Sequence, residues 1–103
     1  MAAPSAPPVG VSTDEIYAES VNLSWMPPLS IYQNGDIIGY NVTLTTVSSG
    51  IMNTILSASN RITISSLHPY TTYATAVAAI TSAGVGPYST IVTFITDESG
   101  SQL

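Results

Sequence analysis

The chain has 103 residues, of which 45% are hydrophobic and only 7% are charged, and its formal net charge is −5. The hydrophobic share excludes a disordered segment, and the length suits one domain with one core. Arg61 is the only Lys or Arg, so the chain lacks the cationic surface that nucleic acid, heparin or anionic lipid requires. Disulfides, thiol nucleophiles and Cys-based zinc sites are excluded because there is no cysteine.

Both ends of the sequence resemble connectors. Residues 1–6 lack the basic region and long apolar stretch of a signal peptide, and residues 98–103 are small and polar. No apolar run approaches the roughly eighteen residues of a membrane span. We therefore expect a domain over 7–97, flanked by linkers, in a fragment of a larger protein.

Between the ends, apolar and polar residues alternate at period two, and no segment has helical periodicity. Turn residues, including Pro27-Pro28, Asn34-Gly35 and 65–69, interrupt the alternation about every ten residues. The predicted strands, in chain order, centre on 9–11, 21–25, 40–44, 54–56, 62–64, 73–79 and 92–94. This pattern predicts an all-β fold, a seven-stranded antiparallel β-sandwich.

The alternation also predicts a hydrophobic core. The inward positions are Val21, Leu23, Trp25, Tyr40, Val42, Leu44, Ile62, Ile64, Leu67, Tyr73, Val77 and Phe94. One position stays open. Strict alternation back from Tyr40 puts Ile38 inside, but Ile37 is equally apolar, and either of them can lie at a bulge.

Three motifs carry a family resemblance. They are Leu23-Ser24-Trp25 with Pro27-Pro28, Leu67-His68-Pro69-Tyr70-Thr71-Thr72-Tyr73, and Gly84-Val85-Gly86-Pro87-Tyr88-Ser89. In this order and spacing the sequence closely resembles a fibronectin type III module over almost its whole length, and the resemblance implies an immunoglobulin-like sandwich. The motifs are most similar to those of modules in animal cell-surface receptors, such as receptor tyrosine phosphatases and neural adhesion molecules. The resemblance implies that Trp25 is the central core aromatic. It also implies a tyrosine corner, in which the hydroxyl of Tyr73 bonds backbone near Leu67.

Nothing in the sequence predicts catalysis or a cofactor. The one histidine, His68, lies in a turn, and the six acidic residues have almost no basic partners. Asp14, Glu15 and Glu19 share an early loop but lack the spacing of a calcium loop. We expect no enzyme activity, no cofactor and no metal site.

Two Asn-x-Ser/Thr sequons are candidate N-glycosylation sites, at Asn22 and Asn41. If Leu23 and Val42 face the core, alternation turns both asparagines outward, where a glycan can be attached. The sequons favour an extracellular setting.

The loop 29–34 is the first candidate for protein binding. It exposes Ile31 and Tyr32 between two turn signals, and a loop tyrosine is a common interface anchor. Alternatively, Tyr32 folds back over Trp25 and Pro27.

The second candidate is the loop that contains Ala83 and Val85, with Tyr88 just beyond it. Some members of the resembled family carry an integrin-binding Arg-Gly-Asp motif at this position. Residues 81–87 have no arginine, so we expect no integrin contact by that route. The segment 50–56 is a third candidate, because an uncharged apolar edge strand can pair with another chain or aggregate.

Seven reversing strands place the two chain ends at opposite ends of the domain, so the module suits extension along a tandem array. The predicted function is a non-enzymatic extracellular spacer and presentation unit in the ectodomain of a single-pass receptor, with neighbouring domains as its partners. The first alternative is direct adhesion to another cell-surface or matrix protein through the loops. The second is a spacer in a secreted carbohydrate-degrading enzyme.

Overall fold

The structure, a computed structural model, describes residues 2–98, which form eight strands and one short helix. The elements are β1 (Val9–Ile16), β2 (Val21–Met26), α1 (Ser30–Gln33), β3 (Gly39–Thr46), β4 (Met52–Ser57), β5 (Arg61–Ile64), β6 (Thr72–Thr81), β7 (Gly84–Tyr88) and β8 (Val92–Ile95).

The strands form two antiparallel sheets that pack face to face. One sheet has the order β1-β2-β5, and the other has the order β4-β3-β6-β7, with β8 also paired to β6. β7 pairs with the end of β6 near Thr81, and β8 pairs with the end near Thr72. These two strands are therefore two halves of one edge.

This divided edge explains why the strand count is eight where the sequence predicts seven. Between the halves, the backbone N–H of Ser89 donates to the carbonyl of Val77, and the Ser89 hydroxyl accepts from the N–H of Val77. The segment Gly84–Tyr88, part of which was expected to be a loop, is a strand. The sequence also gave no sign of α1, whose single turn ends at Asn34 in a left-handed conformation.

The core lies between the sheets and is organised by two aromatic pairs. The rings of Trp25 and Tyr40 meet edge to face with centroids 5.3 Å apart. Those of Tyr73 and Phe94 stack at 5.7 Å. The surrounding buried side chains are Val21, Leu23, Val42, Leu44, Ile64, Leu67, Val77 and Ala79. Ile62, expected among them, is only partly buried and packs on this cluster.

The choice between Ile37 and Ile38 is settled by where β3 begins. The strand begins at Gly39, so its alternation does not extend back to either isoleucine. Ile37 packs against the core, whereas Ile38 is exposed and donates its backbone N–H to Ile80.

The chain leaves the fold at what we call the exit end, formed by the turns around Tyr17 and 66–71. The hydroxyl of Thr96 donates to the carbonyl of His68 at 2.6 Å and accepts from the N–H of Thr71 at 2.9 Å. The N–H of Asp97 then donates to Tyr17 at 3.0 Å. The last described residues are thus bonded to the body of the domain.

The opposite, or loop, end holds α1, the turn between β6 and β7, and the segment Ala2–Ser5. Ala2 donates its N–H to Asn34, and its carbonyl accepts from the hydroxyl of Thr81. Ser5 donates its N–H to the carbonyl of Tyr32. Residues 2–6 were expected to be part of a linker, but this segment bridges two loops of the domain.

Candidate binding surfaces

The loop end brings together four of the predicted contact residues. Ile31 and Tyr32 are 73% and 42% exposed on α1, and no aromatic contact joins Tyr32 to the core rings among the described residues. Ala83 and Val85 are exposed at the β6–β7 turn. The ring of Tyr32 therefore does not stack on Trp25, the aromatic part of the core edge in the alternative arrangement.

The segment Ala2–Ser5 lies between these two loops and joins them. The Asn34 side chain donates to the carbonyl of Ala3 at 3.1 Å. On the other side, a Cβ added at Gly86 would lie 2.7 Å from the carbonyl oxygen of Pro4. A side chain at this position would displace the segment, so glycine permits its close approach.

Tyr88 belongs to a different surface. It pairs with Ala78 on the outer face of the five-stranded sheet. There it lines a shallow groove of about 430 Å³ with Met52, Thr54, Ala76 and Ile91. The sequence grouped Tyr88 with the loop, but the structure separates them.

The outer face of the five-stranded sheet is uncharged at every outward position of its described strands. Along β6 its floor consists of Ala74, Ala76 and Ala78, flanked by threonines of β3. The exposed apolar side chains around this floor are Met52, Leu56, Val85, Tyr88, Ile91 and Ile95. Sequence analysis missed this face, although alanines at alternate positions of β6 were the signal for it.

The outer face of the three-stranded sheet is polar by contrast. Asp14 accepts a hydrogen bond from the Ser12 hydroxyl at 2.6 Å. This bond, a weaker interaction with the side chain of Ser24 and the positive charge of Arg61 hold the pKa of Asp14 below its usual value. Arg61 and Asp14 line the same shallow depression. Arg61, the one basic side chain of the sequence, therefore interacts with a carboxylate of its own sheet.

Two tyrosines have raised pKa values. The hydroxyl of Tyr17 donates to Glu15 at 2.7 Å, and this hydrogen bond with the charge of Glu15 raises the pKa of Tyr17. Burial raises the pKa of Tyr40. One shift therefore follows from a contact between neighbouring residues on the surface and the other from burial in the core.

The two sequons lie on opposite outer faces. Asn22 is on the polar sheet, where its side-chain oxygen accepts from the hydroxyl of Thr63 at 2.7 Å. Asn41 is on the uncharged face, in register with Leu56 and Ala78. Both side chains alternate with buried neighbours and point away from the core.

The acidic residues do not converge on one another. Within residues 2–98, no three His, Asp or Glu side chains gather in a way that could hold a metal ion. His68 is exposed, and its backbone, not its ring, makes the structural contacts.

Within residues 2–98 no helix is long and apolar enough to cross a bilayer.

Two antiparallel sheets around a buried tryptophan, closed by a tyrosine corner, define an immunoglobulin-like β-sandwich. The profile of the fibronectin type III domain matches residues 5–95. The chain belongs to the fibronectin type III family, whose fold is a non-catalytic module.

Several known proteins are similar to the chain in sequence. The chain is 38% identical over 96 residues to phosphatidylinositol phosphatase PTPRQ of Rattus norvegicus, a match that covers 93% of this chain and 4% of that protein. It is 37% identical over 93 residues to receptor-type tyrosine-protein phosphatase F of Mus musculus, covering 84% and 5%. Netrin receptor DCC of Homo sapiens is 36% identical over 97 residues, covering 93% and 7%. The chain thus spans a small part of each relative.

A solved structure gives the same fold. Domains A168–A170 of titin match with a TM-score of 0.82 and 28% identity, covering 93% of this chain and 33% of that one.

Proposed function

We propose that this module is an extracellular spacer and presentation unit in the ectodomain of a single-pass receptor, joined to neighbouring domains at both ends. The observation that carries the proposal is the position of the two chain ends. Ala2 is bonded at the loop end, through Asn34 and Thr81, and Asp97 at the exit end, through Tyr17. Force applied along an array would therefore pass through the length of the sandwich.

The relatives support this setting by their names, two of which contain the word receptor. They favour it over a spacer in a secreted carbohydrate-degrading enzyme. The catalytic activity that the phosphatase names describe belongs to those proteins, of which this chain matches 4% and 5%.

Direct adhesion is the second candidate function. It is favoured by the exposure of Ile31 and Tyr32 beside Ala83 and Val85, because this places four uncharged contacts at one end of the domain. The binding partner at this end would be another cell-surface or matrix protein.

A replacement experiment separates the two functions. In the parent protein on cells, residues 7–97 are exchanged for an unrelated fibronectin type III module of similar length, and cell aggregation is measured. A spacer leaves aggregation unchanged after the exchange, whereas an adhesive module loses it. The paired variant Ile31→Ser/Tyr32→Ser in the native module gives the same distinction without altering the length, and the exposed Tyr70→Ser is its control.

We further propose that Asn22 and Asn41 carry N-linked glycans. Support comes from their outward positions on β2 and β3. The chain is secreted from animal cells, and its mass is measured before and after glycosidase treatment, with Asn22→Gln and Asn41→Gln as controls. A mass that treatment leaves unchanged would remove the glycans from the proposal and leave the spacer role intact.

A further inference from the structure

The edges of the two sheets differ in how well they are protected against pairing with another strand. β1 has register shifts on both sides of Ser12-Thr13 and carries Asp14 and Glu15. The β7–β8 edge is interrupted and contains Pro87. β5 is only four residues long and begins with Arg61. Bulges, charges, proline and short length are the usual devices that prevent edge pairing.

β4 has none of these devices. Its six residues, Met52–Ser57, include no charge and no proline. It pairs with β3 without a register shift, and it ends the order of its sheet. Met52 and Leu56 are 59% and 74% exposed. This edge is therefore regular, apolar and open.

The hydrogen-bond phase of β4 identifies which backbone groups are free. Thr46 donates its N–H to the carbonyl of Ile51 at 2.9 Å. Since bonded pairs alternate along an antiparallel ladder, Asn53, Ile55 and Ser57 direct their backbone groups toward β3. The N–H and C=O groups of the residues between them point away from the sheet. These free residues are Met52, Thr54 and Leu56.

We propose that β4 pairs antiparallel with β4 of a second copy, around a two-fold axis at Thr54. This register places Thr54 opposite Thr54 of the second copy and Met52 opposite its Leu56. Every free N–H then meets a free C=O, which gives about six hydrogen bonds between the copies. The outer faces of the two sheets become one continuous uncharged surface.

The second copy is the favoured occupant because of the charge distribution. The net charge of −5 makes two copies repel each other in general. The acidic residues are Asp14, Glu15, Glu19, Asp36, Asp97 and Glu98. All of them lie outside β3, β4, β6, β7 and β8. Pairing through β4 brings no carboxylates together, whereas pairing through β1 would place Asp14 and Glu15 of both copies at the contact. A basic partner would find no counter-charge on β4.

The interface is small, so the dimer is weak. One pair of six-residue edges buries less than the roughly 1,200 Å² of a stable interface. We expect the dimer to form at chain concentrations between about 10 µM and 1 mM. This inference goes beyond the spacer role, and its failure would leave that role untouched.

The test uses the unglycosylated 103-residue chain from bacteria, followed by sedimentation equilibrium up to about 1 mM. The weight-average mass should rise from that of the monomer toward twice that value. Thr54→Lys places two positive charges opposite each other, and Thr54→Glu places two negative charges there, so each variant alone should remain a monomer. An equimolar mixture of the two variants should associate again, because Lys then faces Glu.

The matched control is Thr93→Lys, on the same outer face but on β8 at the other edge, which should associate as the wild type does. The circular dichroism of each variant verifies that it is folded. A wild-type chain that stays monomeric at about 1 mM overturns the proposal and leaves the edge to a different occupant. A Thr54→Lys chain that still dimerises, or a mixture that fails to associate, overturns the register.

Discussion

The hydroxyl of Tyr73 accepts a hydrogen bond from the backbone N–H of His68 at 2.8 Å. This bond joins the start of β6 to the turn that precedes it, five residues back in the chain. Leu67 is buried next to the bonded residue, so the contact fixes both a turn and a core side chain. It is the tyrosine corner that the family resemblance implies.

Tyr73→Phe removes this bond and leaves the ring in place. We expect the free energy of unfolding to fall by about 1–3 kcal/mol, because the N–H of His68 loses its partner. Urea denaturation followed by Trp25 fluorescence measures the change. The control is Tyr70→Phe, at a tyrosine that is 72% exposed, which should stay within about 0.5 kcal/mol of the wild type. Equal losses in both variants would mean that the corner has no special role.

Thr96→Val tests the hydroxyl of Thr96, which, like that of Tyr73, bonds backbone groups at the exit end. Valine keeps the shape of this buried side chain but removes the donor to His68 and the acceptor for Thr71. Two backbone groups lose partners, so we expect a loss of about 2–4 kcal/mol. Thr93→Val, on the exposed side of β8, is the control and should be almost neutral. A neutral Thr96→Val would show that the bonds contribute little to holding the exit end.

The core was predictable because period-two alternation has a direct physical cause. In β2 the side chains of Val21, Leu23 and Trp25 all fall on one face of the strand. The same rule failed at Ile38, because alternation has no meaning before the strand begins at Gly39.

The contacts of the amino-terminal segment could not be predicted by this rule. Backbone groups of this segment form hydrogen bonds with Asn34, Tyr32 and the hydroxyl of Thr81. A sequence of Ala, Pro and Ser has no periodicity that indicates these bonds. On β6, Ala76 and Ala78 of the outer face are buried, as Ala79 of the core face is. Alanine is small enough to be covered by neighbouring strands, so its burial does not report which way it points.

Gly86→Ala tests the amino-terminal segment. The new Cβ would lie 2.7 Å from the carbonyl oxygen of Pro4, so we expect the segment to move away from the sheet. Hydrogen exchange at the N–H of Ser5 should accelerate by about tenfold or more, while amides of β3 and β6 keep their protection. The control is Val85→Ala, which shortens an exposed neighbour without adding an atom near Pro4. Unchanged exchange at Ser5 would contradict the close approach.

The pH dependence of stability tests the polar sheet. The pKa of Asp14 is lowered chiefly by the hydrogen bond from Ser12, then by Ser24 and Arg61. A carboxyl whose pKa is lower in the folded state adds stability above its unfolded value of 3.8 and loses it as the pH falls through the folded pKa.

Ser12→Ala should therefore raise the pKa of Asp14 toward 3.8, as measured by NMR titration of its carboxyl carbon. Ser24→Ala should raise it less, since its bond is the weaker of the two causes. The variant Ser12→Ala should be less stable than the wild type at pH 6, and this difference should shrink as acid protonates Asp14 in both proteins. Because Asp14 is exposed, added salt should screen the contribution of Arg61. The direct 2.6 Å hydrogen bond from Ser12 should remain. An unchanged pKa of Asp14 in Ser12→Ala would mean that the hydroxyl does not bond the carboxylate in solution.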